Sequence, residues 1–256
     1  MTNILIEGDL HCGNHLGLTP PEHMGEWAWA LKPLWDWREQ QLALLPKIDV
    51  HILNADLIDG PGKKDNLGLF TTDTRLQRRW AIECIDRVDA AHRYFTYGSN
   101  YHVTTTYEAE TDIAEHFHSE IHDTLLLKIA GVRFNVRHVV GRSDVPAGFG
   151  TQDIKEIIRA LTQEATDGYK AADIFVRSHV HYWSRVEVKD KIAFTCPALE
   201  LNLDVPGTVY PRSLRTQWYD VGFTFIQIDQ HGEVYIRKRL MPLQIHYPKE
   251  YIDVGL

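Results

Sequence analysis

The sequence predicts an α/β protein whose strands end in loops rich in Asp, Asn and His. Three observations carry this. Apolar runs of strand length alternate with amphipathic helical stretches through the first two thirds of the chain. Several of these runs stop abruptly at a carboxylate or an imidazole, beside glycine. The remainder, from Ser184 onward, reads mostly as strands with a hairpin turn at Gln230-His231-Gly232-Glu233. In open α/β sheets, ligands gather at the carboxyl ends of strands, so the polar residues placed there are the candidate site.

Length and composition set the frame. The chain has 256 residues and no Gly/Ser- or Pro-rich linker, so one domain over residues 1–256 is expected. Its 44% hydrophobic and 24% charged content is that of an ordinary globular protein. The formal net charge of −8 disfavours non-specific gripping of nucleic acid, whose phosphates are held by Lys and Arg. A local basic groove or bound cations would offset this. The three cysteines, Cys12, Cys84 and Cys196, are odd in number and widely spaced, which fits a reducing compartment rather than a disulfide framework. No signal peptide or membrane-length apolar run is visible, so a cytoplasmic setting is expected.

In chain order, Ile4–Ile6 reads as a strand ending in Glu7-Gly8-Asp9-Leu10-His11. Asp9 and His11 are two apart, so at an extended strand end both side chains would point the same way. A capped, solvated turn is the competing reading. A helix is expected from Pro33 to Leu45, with Arg38, Glu39 and Gln41 on its wet face. Trp27, Trp29, Trp35 and Trp37 read as core or a packed lid in preference to a base-stacking platform. The strand Asp49–Leu53 runs into Asn54-Ala55-Asp56-Leu57-Ile58-Asp59-Gly60, the most concentrated acidic strand end in the chain. A helix over Thr74–Ala91 carries Arg75, Arg78 and Arg79 on a solvated face.

The strand Arg93–Tyr97 ends at Gly98-Ser99-Asn100-Tyr101-His102. A helix is expected over Asp112–Ser119, with His116, His118 and His122 at the surface. Leu125–Ile129 and Val132–Val136 form a hairpin about Ala130-Gly131, and its second strand leads to Arg137-His138. Asp153–Ala165 is a helix, and the strand Asp173–Arg177 ends in Ser178-His179-Val180-His181. His179 and His181, at i and i+2, are again expected on one side.

The ordered set is Asp9-x-His11, Asp56-x-x-Asp59-Gly60, Gly98-x-Asn100-x-His102, His138 and His179-x-His181. Each piece is weak alone, but five in this order resemble the calcineurin-like metallophosphoesterase family, in the variants found in phage-related proteins. The resemblance covers roughly residues 4 to 182. It implies a sandwich of two mixed β-sheets flanked by helices. It further implies that Asp9, His11 and His181 hold one metal, that Asp56 bridges two, and that His138, His179 and Asn100 hold the second. His102 would assist the leaving group and Asp59 would orient it.

The chain departs from the family at three points. Asn54 and Ser178 stand where glycine is usual, and Gly98-Ser99-Asn100-Tyr101-His102 carries an extra residue, leaving either Asn100 or Ser99 to complete the second site.

The activity implied is hydrolysis of a phosphoester, most readily a phosphodiester, by in-line attack of water activated between two divalent ions. Mixed carboxylate, imidazole and amide donors suit Mn2+ first, with Fe or Zn2+ as alternatives. Two further readings stay open within the class, a nuclease and a phosphomonoesterase. A nuclease groove would draw on Arg137, Arg142, Arg177, Arg185, Arg212 and Arg215, with Tyr182 or Trp183 stacking a base. A catalytically silent binding module on the same scaffold is the alternative of a different class. Cys12, beside His11, reads as packing.

Overall fold

The structure is a computed structural model that describes residues 1–61, 68–99, 108–141, 148–168, 170–203 and 219–242. Two mixed sheets face one another. The first has the order β11-β10-β1-β2-β3-β4, from β1 (Thr2–Glu7), β2 (Ile48–Leu53), β3 (Ala90–Thr96), β4 (Ile121–His122), β10 (Gly222–Ile228) and β11 (Val234–Leu240). β1 to β4 are parallel, and β10 and β11 join antiparallel beside β1. The second sheet has the order β5-β6-β7-β9-β8, from β5 (Leu125–Ile129), β6 (Val132–Val136), β7 (Ile174–Arg177), β8 (Ser184–Val188) and β9 (Lys191–Thr195). Its β6, β7 and β9 are parallel.

The sheets pack through one apolar layer. Ile4, Ile6, Val50, Ile52, Ile226 and Ile228 of the first meet Phe134, Val136, Ile174, Val176 and Phe194 of the second. Leu5, Phe223 and Phe225 point the other way, under Ile48, Val88 and Trp37, while α4 (Thr151–Asp167) covers the far face of the second sheet through Ile157 and Ala160. Because β1 is covered on both faces, Ile4-Leu5-Ile6 is a continuous apolar run without alternation. This is the sandwich flanked by helices expected above.

The element ends carry the corrections. α1 (Ala28–Ala43) starts five residues before the expected Pro33, which lies inside it on the exposed side. Two 3-10 turns, Pro21–His23 and Gly25–Trp27, feed straight into the helix, so proline does not mark its start. α2 (Thr74–Asp86) opens on Asp73, whose carboxylate caps Arg75 N at 2.9 Å. It stops short of the expected Ala91 because Ala90 pairs with Ile48 at the start of β3. α3 (Glu108–His116) begins before Asp112. The Ala130-Gly131 hairpin forms as expected, with φ of 48° and 89° at its two turn residues.

Arg38 is not on a wet face. It is fully buried, donating Nε and Nη2 to Glu7 Oε1 and Oε2 at 2.8 Å each and Nη2 to Cys84 O at 3.1 Å. The helical pattern around it is charged, and only the buried Glu7 at the end of β1 explains the burial. His51 Nε2 donates to Glu7 Oε2 at 3.0 Å. Burial pushes Glu7 up, but Arg38 and then His51 outweigh it and hold its carboxyl at about 2. Trp27, Trp35 and Trp37 pack against the core, whereas Trp29 stands exposed.

Candidate metal centre

The C-terminal loops of β1, β2, β6, β7 and β9 converge where the two sheets meet. Asp9 and His11 follow β1, Asp56 and Asp59 follow β2, His138 follows β6, and His179 and His181 follow β7. Two clusters of donors form, each with its ligand atoms within 4.8 Å of one another: Asp9, His11 and His181, and Asp56, His138 and His179. These are the two groups that the resemblance implied, apart from Asn100. Asn100 and His102 lie outside the described residues.

The backbone reaches this arrangement by turning left-handed. Of nine described non-glycine residues with positive φ, five are Asp9, His11, Asp56, His179 and His181, at 46° to 71°. Each such residue costs about 1–2 kcal/mol, so the loops must be pinned from outside. Asp9 N donates to Ala55 O at 2.9 Å, His11 N to Asp56 O at 3.0 Å, and Ser178 N to His138 O at 2.9 Å. The i, i+2 rule for extended strand ends therefore does not apply. His179 and His181 fan into different clusters, and Asp9 and His11 meet through a tight loop.

Asp9 and Asp56 are buried carboxylates faced by imidazoles. Asp9 Oδ1 lies 3.0 Å from His181 Nε2, 3.8 Å from His138 Nε2 and 3.9 Å from His11 Nε2. Asp56 Oδ2 lies 2.8 Å from His138 Nε2 and 3.9 Å from His179 Nδ1. His138 thus spans both clusters. Burial disfavours its charged form, but Asp56 and Asp9 outweigh burial and raise it to about 9. His11 is raised well above the usual histidine range by Glu200 and Asp59, against the pull of burial.

Three of the cluster imidazoles are held by their other nitrogen. His138 Nδ1 is 2.8 Å from Asn54 O, which can only accept, so that nitrogen carries the proton and Nε2 faces Asp56. His11 Nδ1 lies 3.1 Å from Asp59 Oδ1, and His181 Nδ1 lies 2.8 Å from Tyr219 Oη. Asp59 therefore holds His11, and also accepts from Asn14 Nδ2 at 3.3 Å.

Ser99 donates its N to Asp56 Oδ1 at 2.8 Å and its hydroxyl to Oδ2 at 3.3 Å. Gly98 allows this approach, since a Cβ there would lie 2.1 Å from Asp56 Oδ1.

The two residues that replace glycine in the motifs answer each other. Asn54 Nδ2 donates to Ser178 Oγ at 2.7 Å, and Asn54 Oδ1 accepts from Thr96 Oγ1 at 2.8 Å. All three are buried, and the bond ties the β2 loop of one sheet to the β7 loop of the other.

Sequence reasoning missed Glu200, Tyr219 and Glu110. Glu200 follows β9, the third parallel strand of the second sheet, and that position was the available signal. It is 2% exposed and forms a third donor group with His11 and Asp59. Glu110 accepts from Gly98 N at 2.8 Å and Leu57 N at 3.3 Å. Burial, reinforced by the nearby charge of Asp56, raises it to about 7.

The arginine groove loses members. Arg177 is buried and held by Glu156 Oε2 at 2.8 Å and by two backbone carbonyls. Arg137 pairs with Glu156 at 3.0 Å. Tyr182 is buried and stacks on Phe149, with centroids 4.5 Å apart, which removes it as a base-stacking surface. Arg142, Arg212 and Arg215 lie outside the described residues. Cys12 is buried, its thiol 3.1 Å from Leu18 O, in the packing role expected.

No protein-family model and no curated protein sequence matches this chain. Among solved structures it is similar to a single-site variant of Vps29 from Entamoeba histolytica. There the identity is 14%, with 94% of this chain and 99% of that one covered, at a TM-score of 0.46. Wild-type Vps29 from the same organism, complexed with Zn2+, gives 15%, 93%, 99% and 0.44 for the same four quantities. A novel archaeal phosphodiesterase gives 14%, 93%, 100% and 0.43. At these identities and scores the likenesses carry no functional weight, and the functional reading rests on the side chains. Among the described residues no helix is long and apolar enough to cross a membrane.

Proposed function

We propose that the protein is a phosphoester hydrolase dependent on two divalent metal ions, acting most readily on phosphodiesters. The observation that carries this is the pair of donor clusters, built on buried carboxylates, that meet at Asp9, His138 and Asp56. The donors fit transition-metal ions. They combine carboxylate with imidazole, two of the three in each cluster are buried, and the imidazoles of His11, His138 and His181 have Nδ1 engaged and Nε2 facing the carboxylates. Asp9, His11 and His181 would hold one ion, and His138 and His179 the other, with Asp56 between them and Asn100 or Ser99 completing the second. Mn2+ is the ion of first choice, with Fe or Zn2+ as alternatives. Divalent ions bound there would supply Lewis acidity toward a phosphoryl group and lower the pKa of attached water.

The chain's own residues supply position. Asp59 holds His11, Asn54 O holds His138, and Ser99 holds Asp56, so the donor atoms are fixed before a ligand arrives. In this reading His102 would donate a proton to the departing oxygen, and Asp59, which holds His11, would also orient His102. The test is hydrolysis of bis(p-nitrophenyl) phosphate by purified protein in excess Mn2+. Activity that Asp56→Asn abolishes supports the reading. Metal content far below one ion per chain, with no uptake of Mn2+, would leave a binding module on this scaffold as the correct account.

A further inference from the structure

A partly buried relay lies behind His181 that none of the motifs includes. Tyr219 Oη donates to Glu200 Oε2 at 3.0 Å, and His181 Nδ1 lies 2.8 Å from the same phenol oxygen. A phenol has one proton. With that proton on Glu200, the bond between His181 and Tyr219 requires His181 to donate from Nδ1. That leaves Nε2, 3.0 Å from Asp9 Oδ1 in the first donor cluster, as the nitrogen turned toward an ion. Glu200 Oε2 also lies 3.4 Å from His181 Nδ1, behind that imidazole, and 3.7 Å from His11 Nε2, on the donor side of the other. The rings of His181 and Tyr219 meet edge to face, with centroids 5.2 Å apart, which fixes the plane of the imidazole as well as its proton.

The backbone holds this relay as firmly as it holds the ligands. Leu199 N donates to Asp9 O at 3.1 Å, Asp220 N to His181 O at 2.9 Å, and Ala198 N to Asp220 O at 3.0 Å. The loop after β9 and the lead into β10 are thereby tied to the loops that carry Asp9 and His181.

We propose that Glu200 and Tyr219 are positioning residues that lock His181 in the Nδ1–H tautomer and so set the metal affinity of the first cluster. The proposal rests on the metal-dependent reading above. It assigns the Glu200 carboxylate to holding His181 through Tyr219 rather than to ligating an ion. Partners of this kind are worth about 10–100-fold in metal affinity.

The experiment uses the full chain, with Mn2+ alone as the probe. Long-range proton–nitrogen NMR of the metal-free protein reads the His181 tautomer, and calorimetry reads Mn2+ affinity for wild type, Tyr219→Phe, Glu200→Gln and the double variant. The expected result is a proton held on Nδ1 in wild type and lost from Nδ1 in Tyr219→Phe. Each single change should weaken Mn2+ binding by about tenfold or more. The double variant should bind no more weakly than the worse single one, because both act on one imidazole.

Tyr219→Phe removes one hydroxyl, and its thermal unfolding checks that the fold persists. If it has unfolded, the tautomer in Glu200→Gln decides the matter. An unchanged tautomer, or losses that multiply in the double variant, would overturn the relay. A drop in affinity in Glu200→Gln alone would make Glu200 a ligand. A wild type that takes up no Mn2+ overturns the metal-dependent reading itself, and the tautomer measurement still judges the relay.

Discussion

Replacing Arg38 by methionine should destabilise the protein by about 3–5 kcal/mol, the usual consequence of removing one partner of a buried ion pair. The size follows from the structure. Arg38 and Glu7 are both fully buried, and two 2.8 Å bonds join the guanidinium to both carboxylate oxygens. The shift of Glu7 from 4.5 to about 2 corresponds to about 3 kcal/mol favouring the charged form. Without Arg38, burial acts on the carboxylate with only His51 to offset it, and Cys84 O loses a donor. The sign with pH follows from the lowered value. The stabilisation is complete above about pH 4.5 and is lost as pH falls toward 2.

The assay is urea unfolding at pH 7 of wild type, Arg38→Met and Glu7→Gln/Arg38→Met. The double variant should recover most of the loss, because it no longer buries an unpaired charge. A loss under about 1 kcal/mol, or a double variant as unstable as the single, would refute the assignment of this pair as a buried charge couple.

Asp153 gives the opposite pH dependence. Burial raises its carboxyl from 3.8 to about 6, against the Ser184 hydroxyl and Arg177, so folding is favoured below about pH 4 and weakened as pH rises through 6. Asp153→Asn should then raise the melting temperature at pH 8, by up to about 3 kcal/mol of stability, and leave it little changed at pH 4; an equal effect at both pH values refutes this. Asn54→Ala should cost about 1–3 kcal/mol in chemical denaturation, because Ser178 and Thr96 each lose a buried partner. Mn2+ at a hundredfold its dissociation constant should stabilise the wild type by about 2.7 kcal/mol in thermal unfolding, and chelator should reverse this. A similar gain in Asp9→Asn/Asp56→Asn would place the ion elsewhere.

The sequence by itself determined the alternation of strands and helices, the glycine-assisted hairpin at Ala130-Gly131, and which polar residues stand at strand ends. These are local matters, since apolar runs, turn residues and short motifs are written in neighbouring positions. It could also name Asp9, His11, Asp56, His138, His179 and His181 as one set, because their order along the chain resembles a known motif order.

Only the tertiary structure decided how they meet. The left-handed turns at five of these residues replace the extended geometry that spacing suggested, and backbone bonds between loops far apart in the chain hold them there. The burial of Arg38 on Glu7, the bond between Asn54 and Ser178, and the Glu200–Tyr219–His181 relay are likewise invisible in sequence. Each joins residues separated by 19 to 124 positions. A side chain's partner at that range is set by how the sheets pack, which local pattern does not encode.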